Sequence, residues 1–280
     1  MCELFAVSSA HPARVRLRFA EFATHGAPVH GGNPDGWGAA YFDGLEAHLL
    51  RESKPAVRSV FVRVLEDHDF HSPLVLAHVR RASRGPVALA NTQPFSRELA
   101  GHRHVFAHNG DLPDIQLRWP LVLGGTQAAC WQPVGQTDSE HVFCQLLREL
   151  APLWRTSVGV PDVGARLAVV AAFAARLRPI GPANFLYTDG DVLFAHSHRR
   201  HQLDGSVRSP GLHLLRRSAA GLHRHEAFGM QVQSQHHQAH ALAMLASVPL
   251  GEGDWKALEE GQVVALHAGE LIASTPGVPT

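Results

Sequence analysis

The sequence predicts an α+β fold, on three observations. Short apolar strands come in pairs joined by tight turns, with Asp43-Gly44 and Asp189-Gly190 as the hairpin dipeptides. Thr137-Asp138-Ser139-Glu140 has the capping-box form that opens a helix, with an oxygen side chain at the N-cap and a glutamate three residues on. An alanine-rich apolar stretch at residues 163–177 ends at Pro179 and Gly181, as a second helix would. This mixture of helices and hairpin-linked strands favours a sandwich over a parallel βαβ fold. With 280 residues and no repeat or low-complexity linker, residues 1–280 read as one domain.

Taken in order, residues 3–7 read as a short buried strand. Residues 13–22 read as a helix behind it, because Val15, Phe19 and Phe22 follow helical spacing. Residues 26–34 are rich in turn formers, and Asp35-Gly36-Trp37-Gly38 opens a strand toward Phe42, its glycines suggesting close backbone approach. Residues 45–50 return across the Asp43-Gly44 turn. Residues 58–65 suit a helix with one apolar face. Residues 74–79 and 104–107 are apolar strands that end in polar residues, His78-Val79-Arg80 and His108-Asn109-Gly110, with residues 91–95 on a loop between them. Function concentrates where core strands give way to loops. Residues 112–136 are irregular, and the capped helix follows from Thr137 to residue 150. Residues 184–188 and 192–196 form a hairpin, and residues 211–215, 242–247, 263–266 and 271–274 supply further strands.

The composition narrows the function classes. Lys+Arg and Asp+Glu are both 25, so no global field favours nucleic acid or an anionic membrane. No apolar run approaches the ~20 residues that span a bilayer, and no basic-then-apolar signal segment precedes Cys2. Cys2, Cys130 and Cys144 are an odd set without CxxC spacing, which disfavours both a disulfide framework and a structural zinc site. A reducing, cytoplasmic setting is expected.

Chemistry enters with Cys2. Once Met1 is trimmed, its thiol and a free α-amine share one residue. The amine titrates near ~7.7–8.0 in model peptides and the thiol near ~8.5, so the amine can take the thiol's proton at neutral pH. Cys2, Arg80, Asn109, Gly110 and Asp138 together supply what a thiol amidohydrolase of an amino-acid amide requires. The thiolate attacks the amide carbon. The Asn109 side-chain amide and the Gly110 backbone N–H are two donors for the tetrahedral oxygen. Arg80 offers a fork for an α-carboxylate, and Asp138 a counter-charge for an α-ammonium.

The order of motifs resembles the class II glutamine amidotransferases, and among them the stand-alone members. The residues that carry the resemblance are Met1-Cys2-Glu3-Leu4, Asp35-Gly36-Trp37-Gly38, His78-Val79-Arg80 with Ala82-Ser83, Asn91-Thr92-Gln93-Pro94-Phe95, His108-Asn109-Gly110 and Thr137-Asp138-Ser139-Glu140. Asn184-Phe185-Leu186, Asp189-Gly190, Ala195-His196 and Ala246-Ser247-Val248-Pro249-Leu250 extend it through the second half. The resemblance implies an N-terminal-nucleophile hydrolase fold, a four-layer αββα sandwich with two antiparallel sheets between helices. It implies Cys2 as nucleophile, Asn109 and Gly110 as oxyanion hole, Arg80 and Asp138 as clamps on a glutamyl group, and Ser83 as a hydroxyl near the substrate. Gln93 departs from the pattern, which usually has histidine there. The substrate would be glutamine or a small γ-glutamyl conjugate, with no metal or organic cofactor, and ammonia would go to a separate partner enzyme or to solvent. The alternative is a non-catalytic glutamine sensor or assembly subunit.

Other residues have plainer readings. Asn109-Gly110 alone is the commonest tight-turn dipeptide, and Asp138 alone suits a helix N-terminus. His223, His225, His236, His237 and His240 raise a metal hypothesis, with His236 and His240 on one helical face, but no fixed ligand set accompanies them and a polar loop explains them equally. Cys130 and Cys144 read as free thiols packed as small apolar residues.

Overall fold

The computed structural model describes residues 2–25, 33–68, 70–121, 131–202, 204–227 and 229–278. Met1, Cys130 and most of the turn-rich 26–34 segment lie outside the described residues. The strands are β1 (Glu3–Leu17), β2 (Trp37–Asp43), β3 (Glu46–Glu52), β4 (His71–Val79), β5 (Phe95–Leu99), β6 (His102–Gly110), β7 (Ala183–Thr188), β8 (Leu193–His196), β9 (Arg200–His201), β10 (Val207–Arg208), β11 (His213–Ala227), β12 (Met230–Ala246), β13 (Lys256–Ala257), β14 (Val263–His267) and β15 (Glu270–Ser274). The helices are α1 (Phe19–His25), α2 (Val60–Asp67), α3 (Ile115–Arg118), α4 (Asp138–Thr156) and α5 (Val163–Leu177).

Among the described residues, one antiparallel sheet runs β13-β11-β12-β1-β4-β2-β3 and another runs β15-β14-β8-β7-β6-β5. Side chains alternate across each strand, and here both faces are buried. Leu4 and Ala6 of β1 meet Val105, Ala107 and Leu186 of the second sheet in a core between the sheets. Phe5 and Val7, on the opposite face, pack with Phe19, Phe22, Val62 and Leu65 of α1 and α2. Phe106 and Phe185 pack outward against Val142, Phe143, Leu146 and Phe173 of α4 and α5. Helix, sheet, sheet and helix make the four layers.

Several expectations need correction. Residues 13–17 continue β1 and the helix begins only at Phe19. Ala13, Val15 and Leu17 are buried at a period of two, after an irregularity between Ser9 and Arg14, and residues 14–17 pair with 230–233. The described part of the 223–240 region is neither loop nor helix but belongs to the β11–β12 hairpin. His223 and His225 are buried between exposed Arg224 and Glu226, so on β11 the alternation is real but carried by imidazoles. Strand β5 went unpredicted. Asn109-Gly110 is no turn, since β6 runs through it in register with Asn184 and Ala183.

Candidate active site

Both sheets deliver their polar strand ends to one place. The start of β1 is pinned first. Leu4 donates its N–H to Ser247 Oγ at 2.9 Å, and buried Glu3 pairs with Arg200 at 2.9 Å, while Arg200 also donates to the Ser247 carbonyl at 2.8 Å. Because Glu3 pairs with Val79 in the ladder, Cys2 emerges beside Arg80, one residue beyond the strand ends. Cys2 is half-buried, and its Sγ lies over the Arg81 peptide, 3.2 Å from the nitrogen and 3.3 Å from the oxygen. Burial pushes the thiol up from its ordinary range, while the Arg81 N–H and the Arg80 charge pull the other way.

Asn109 reaches across from the second sheet. Its Nδ2 donates to the Cys2 carbonyl at 2.6 Å, which joins nucleophile and oxyanion candidate directly. An amide nitrogen carries two N–H bonds, so a second can serve an oxygen forming near Sγ. Gly110 follows where no side chain fits, since a Cβ would lie 1.9 Å from the Pro182 carbonyl oxygen. Asn184 backs this edge, donating to the Asn109 carbonyl at 3.1 Å and to that of Arg199 at 2.7 Å.

Arg80 stands next to Cys2 but spends its fork on the following loop. The guanidinium donates to the carbonyls of Arg84 at 2.9 Å, Gly85 at 3.3 Å, Pro86 at 3.4 Å and Asp35 at 3.5 Å. Asp35 completes the same loop by accepting the Ala82 N–H at 2.7 Å. Arg84 then pairs with Asp111, so the loop spans from the end of β4 to the end of β6. Ser83 is exposed on that loop.

Asp138 opens α4, with Thr137 capping the Glu140 N–H at 3.2 Å. Its carboxylate accepts the Leu112 N–H at 2.9 Å and the Ser139 N–H at 2.8 Å. Ser139 Oγ is 2.9 Å from His108 Nδ1, which ties the helix N-terminus to the strand that bears Asn109. Burial holds His108 below its ordinary range against the pull of Asp138 and Asp111.

The structure thus sets Cys2, Arg80, Asn109 and Gly110 at adjoining strand ends, and it ties Asp138 to the chain just after Gly110 through the Leu112 N–H. The roles of Asp35, Asn184 and Ser247 as supports were missed in the sequence, although each lies inside a quoted motif. Their contacts link residues far apart in the chain and leave no periodic trace. Among the described residues, no group of three or more His, Cys, Asp or Glu side chains is placed to hold a metal ion, and no helix is long and apolar enough to cross a membrane. Cys144 lies in the core beneath α4, its thiol pushed up to about 12 by burial.

The family described as class-II glutamine amidotransferases matches residues 1–278. YafJ of Escherichia coli, provisionally named a glutamine amidotransferase, is 33% identical over 196 residues, which cover 70% of this chain and 72% of YafJ. A similarly named Haemophilus influenzae protein is 28% identical over all of this chain and 88% of its own. A Pseudomonas aeruginosa crystal structure, assigned as a glutamine amidotransferase, superposes with a TM-score of 0.70 at 28% identity, covering 97% of this chain and 100% of that one. Glutamine phosphoribosylpyrophosphate amidotransferase of B. subtilis shares the fold, with a TM-score of 0.57 at 14% identity, and this chain covers 49% of it.

Proposed function

This chain belongs to the class II glutamine amidotransferases, and from that premise we propose that it hydrolyses the γ-amide of glutamine or of a small γ-glutamyl conjugate through Cys2. The observation that carries the reading is the 2.6 Å bond from Asn109 of one sheet to the Cys2 carbonyl of the other. It sets an amide donor beside the only thiol at the site mouth among the described residues.

With Met1 removed, the Cys2 α-amine takes the thiol proton and offsets the upward push of burial. The thiolate adds to the γ-carbonyl carbon, and the oxygen that gains charge accepts from Asn109 and from the Gly110 N–H. The amine returns the proton to the leaving nitrogen as the carbon–nitrogen bond breaks, releasing ammonia or an amine. Water then cleaves the thioester to glutamate and regenerates the thiol. Asp138 takes the substrate ammonium. Arg80 takes its α-carboxylate by exchanging the longer carbonyl contacts, those at 3.3–3.5 Å, for a charged acceptor. Ser83, exposed on the loop that Arg80 holds, supplies a hydroxyl near the substrate. The whole chain acts as one catalytic domain, and ammonia passes to a separate enzyme or to solvent.

The test is intact mass before and after an electrophilic glutamine analogue, followed by a panel of glutamine, glutathione and other γ-glutamyl compounds read as released glutamate. Loss of Met1, one adduct on Cys2 and turnover of at least one compound are expected. Binding of glutamine without turnover, and with equal affinity in Cys2→Ala, would replace this reading with a sensor.

A further inference from the structure

The β5–β6 ladder pairs Phe95 with Phe106, and continuing that register sets residue 93 opposite His108. The backbone does not keep the register. At Gln93 the chain has left the ladder to pass over β2, where its carbonyl oxygen comes so close to Gly38 that a Cβ there would lie 2.4 Å away. The His108 N–H and C=O on that edge would lose their strand partner. The Gln93 side chain takes the vacant place: its Oε1 accepts the His108 N–H at 2.6 Å, and its Nε2 donates to the His108 carbonyl at 3.2 Å. A carboxamide has the donor and acceptor of a peptide group side by side, so it reproduces both ladder bonds. An imidazole cannot, because its two nitrogens point apart.

His108 is the residue immediately before Asn109, and its ring meets Ser139 beside Asp138. Gln93 is buried at 4% exposure, and its side chain bonds to the His108 backbone. We propose that Gln93 is a positioning residue, a side-chain surrogate for a missing β-strand that holds His108 and, through it, fixes the Asn109 donor on Cys2. Catalysis is sensitive to such placement, since a displacement of about 1 Å at a reacting group costs on the order of 10²-fold in rate. This inference rests on the amidohydrolase reading above.

The test compares the parent with Gln93→Glu, which keeps the acceptor for the His108 N–H, and Gln93→Met, which keeps the length and loses both bonds. Each is assayed for kcat and KM on the best γ-glutamyl compound, and for Cys2 alkylation by iodoacetamide, a displacement that uses no oxyanion donor. The expected result is kcat falling in the order parent, Glu, Met, with Met down roughly 10- to 100-fold. KM should stay within about threefold, and alkylation should match the parent. Unchanged kcat in Gln93→Met overturns the inference and leaves the amidohydrolase reading intact. Equal losses in kcat, substrate affinity and alkylation in both variants mean a general structural role and also overturn it. A parent inert toward every γ-glutamyl compound overturns the functional reading and this inference with it.

Discussion

At the residue scale, the two proposed oxyanion donors differ in kind: Asn109 offers its side-chain amide, and Gly110 offers a backbone N–H at a position where no side chain fits. Asn109→Ala is expected to lower kcat by ~10²–10³-fold with a small change in KM, the signature of a lost oxyanion donor, and steady-state kinetics on the active γ-glutamyl compound checks it. Gly110→Ala is expected to do more, because its methyl would meet the Pro182 backbone 1.9 Å away and force β6 off β7. A lowered melting temperature together with lost activity is the expected outcome, and a variant with the parent's stability and rate would refute the close approach.

At the element scale, α4 begins at Asp138 and depends on its Thr137 cap. Thr137→Ala removes the bond to the Glu140 N–H and should cost about 1 kcal/mol in urea denaturation. Helix α5 is held differently, by Arg166 reaching Asp189 at 2.8 Å and Asp191 at 2.7 Å in the β7–β8 turn. Asp189 is fully buried. Arg166→Ala strands that carboxylate and should destabilise by ~3–5 kcal/mol. Asp189→Asn in the Arg166→Ala background should recover part of the loss, and no recovery would mean that packing rather than charge is at stake.

At the scale of the molecule, buried imidazoles couple folding to pH. His78, His104 and His196 are each held down to about 3 by burial, against about 6.5 in an unfolded chain. The unfolded chain therefore binds more protons between those values, so stability is full above about pH 6.5 and falls as pH drops toward 3. Each contributes a slope of ~1.4 kcal/mol per pH unit, and the three together ~4. Urea midpoints at pH 7.5, 6 and 5 should fall steeply, and His104→Gln should flatten the decline. A midpoint independent of pH over that range would exclude the effect.

Much of this protein was legible before folding was considered. The Asp43-Gly44 and Asp189-Gly190 hairpins, the Thr137 cap and the bounds of α5 are local features, written by a few adjacent residues whose φ, ψ and capping preferences act within one turn. The motifs behind Cys2 reveal the family for a related reason, since each is a short run of adjacent residues, several of them at strand ends and one at the start of α4. Residues 13–17 were misread because Val15 and Phe19 satisfy helical spacing, while the pairing that makes a strand of them lies more than 200 residues away on β12. The 223–240 hairpin hid because histidines occupy several of its buried positions, His223, His225 and His240. Tertiary structure alone decided that Cys2 meets Asn109, that Arg80 spends its fork on the 84–86 carbonyls, and that Gln93 stands in for a strand. Those are contacts between sheet ends and loops distant in sequence, and hydrogen bonds across such separations impose no period on the chain.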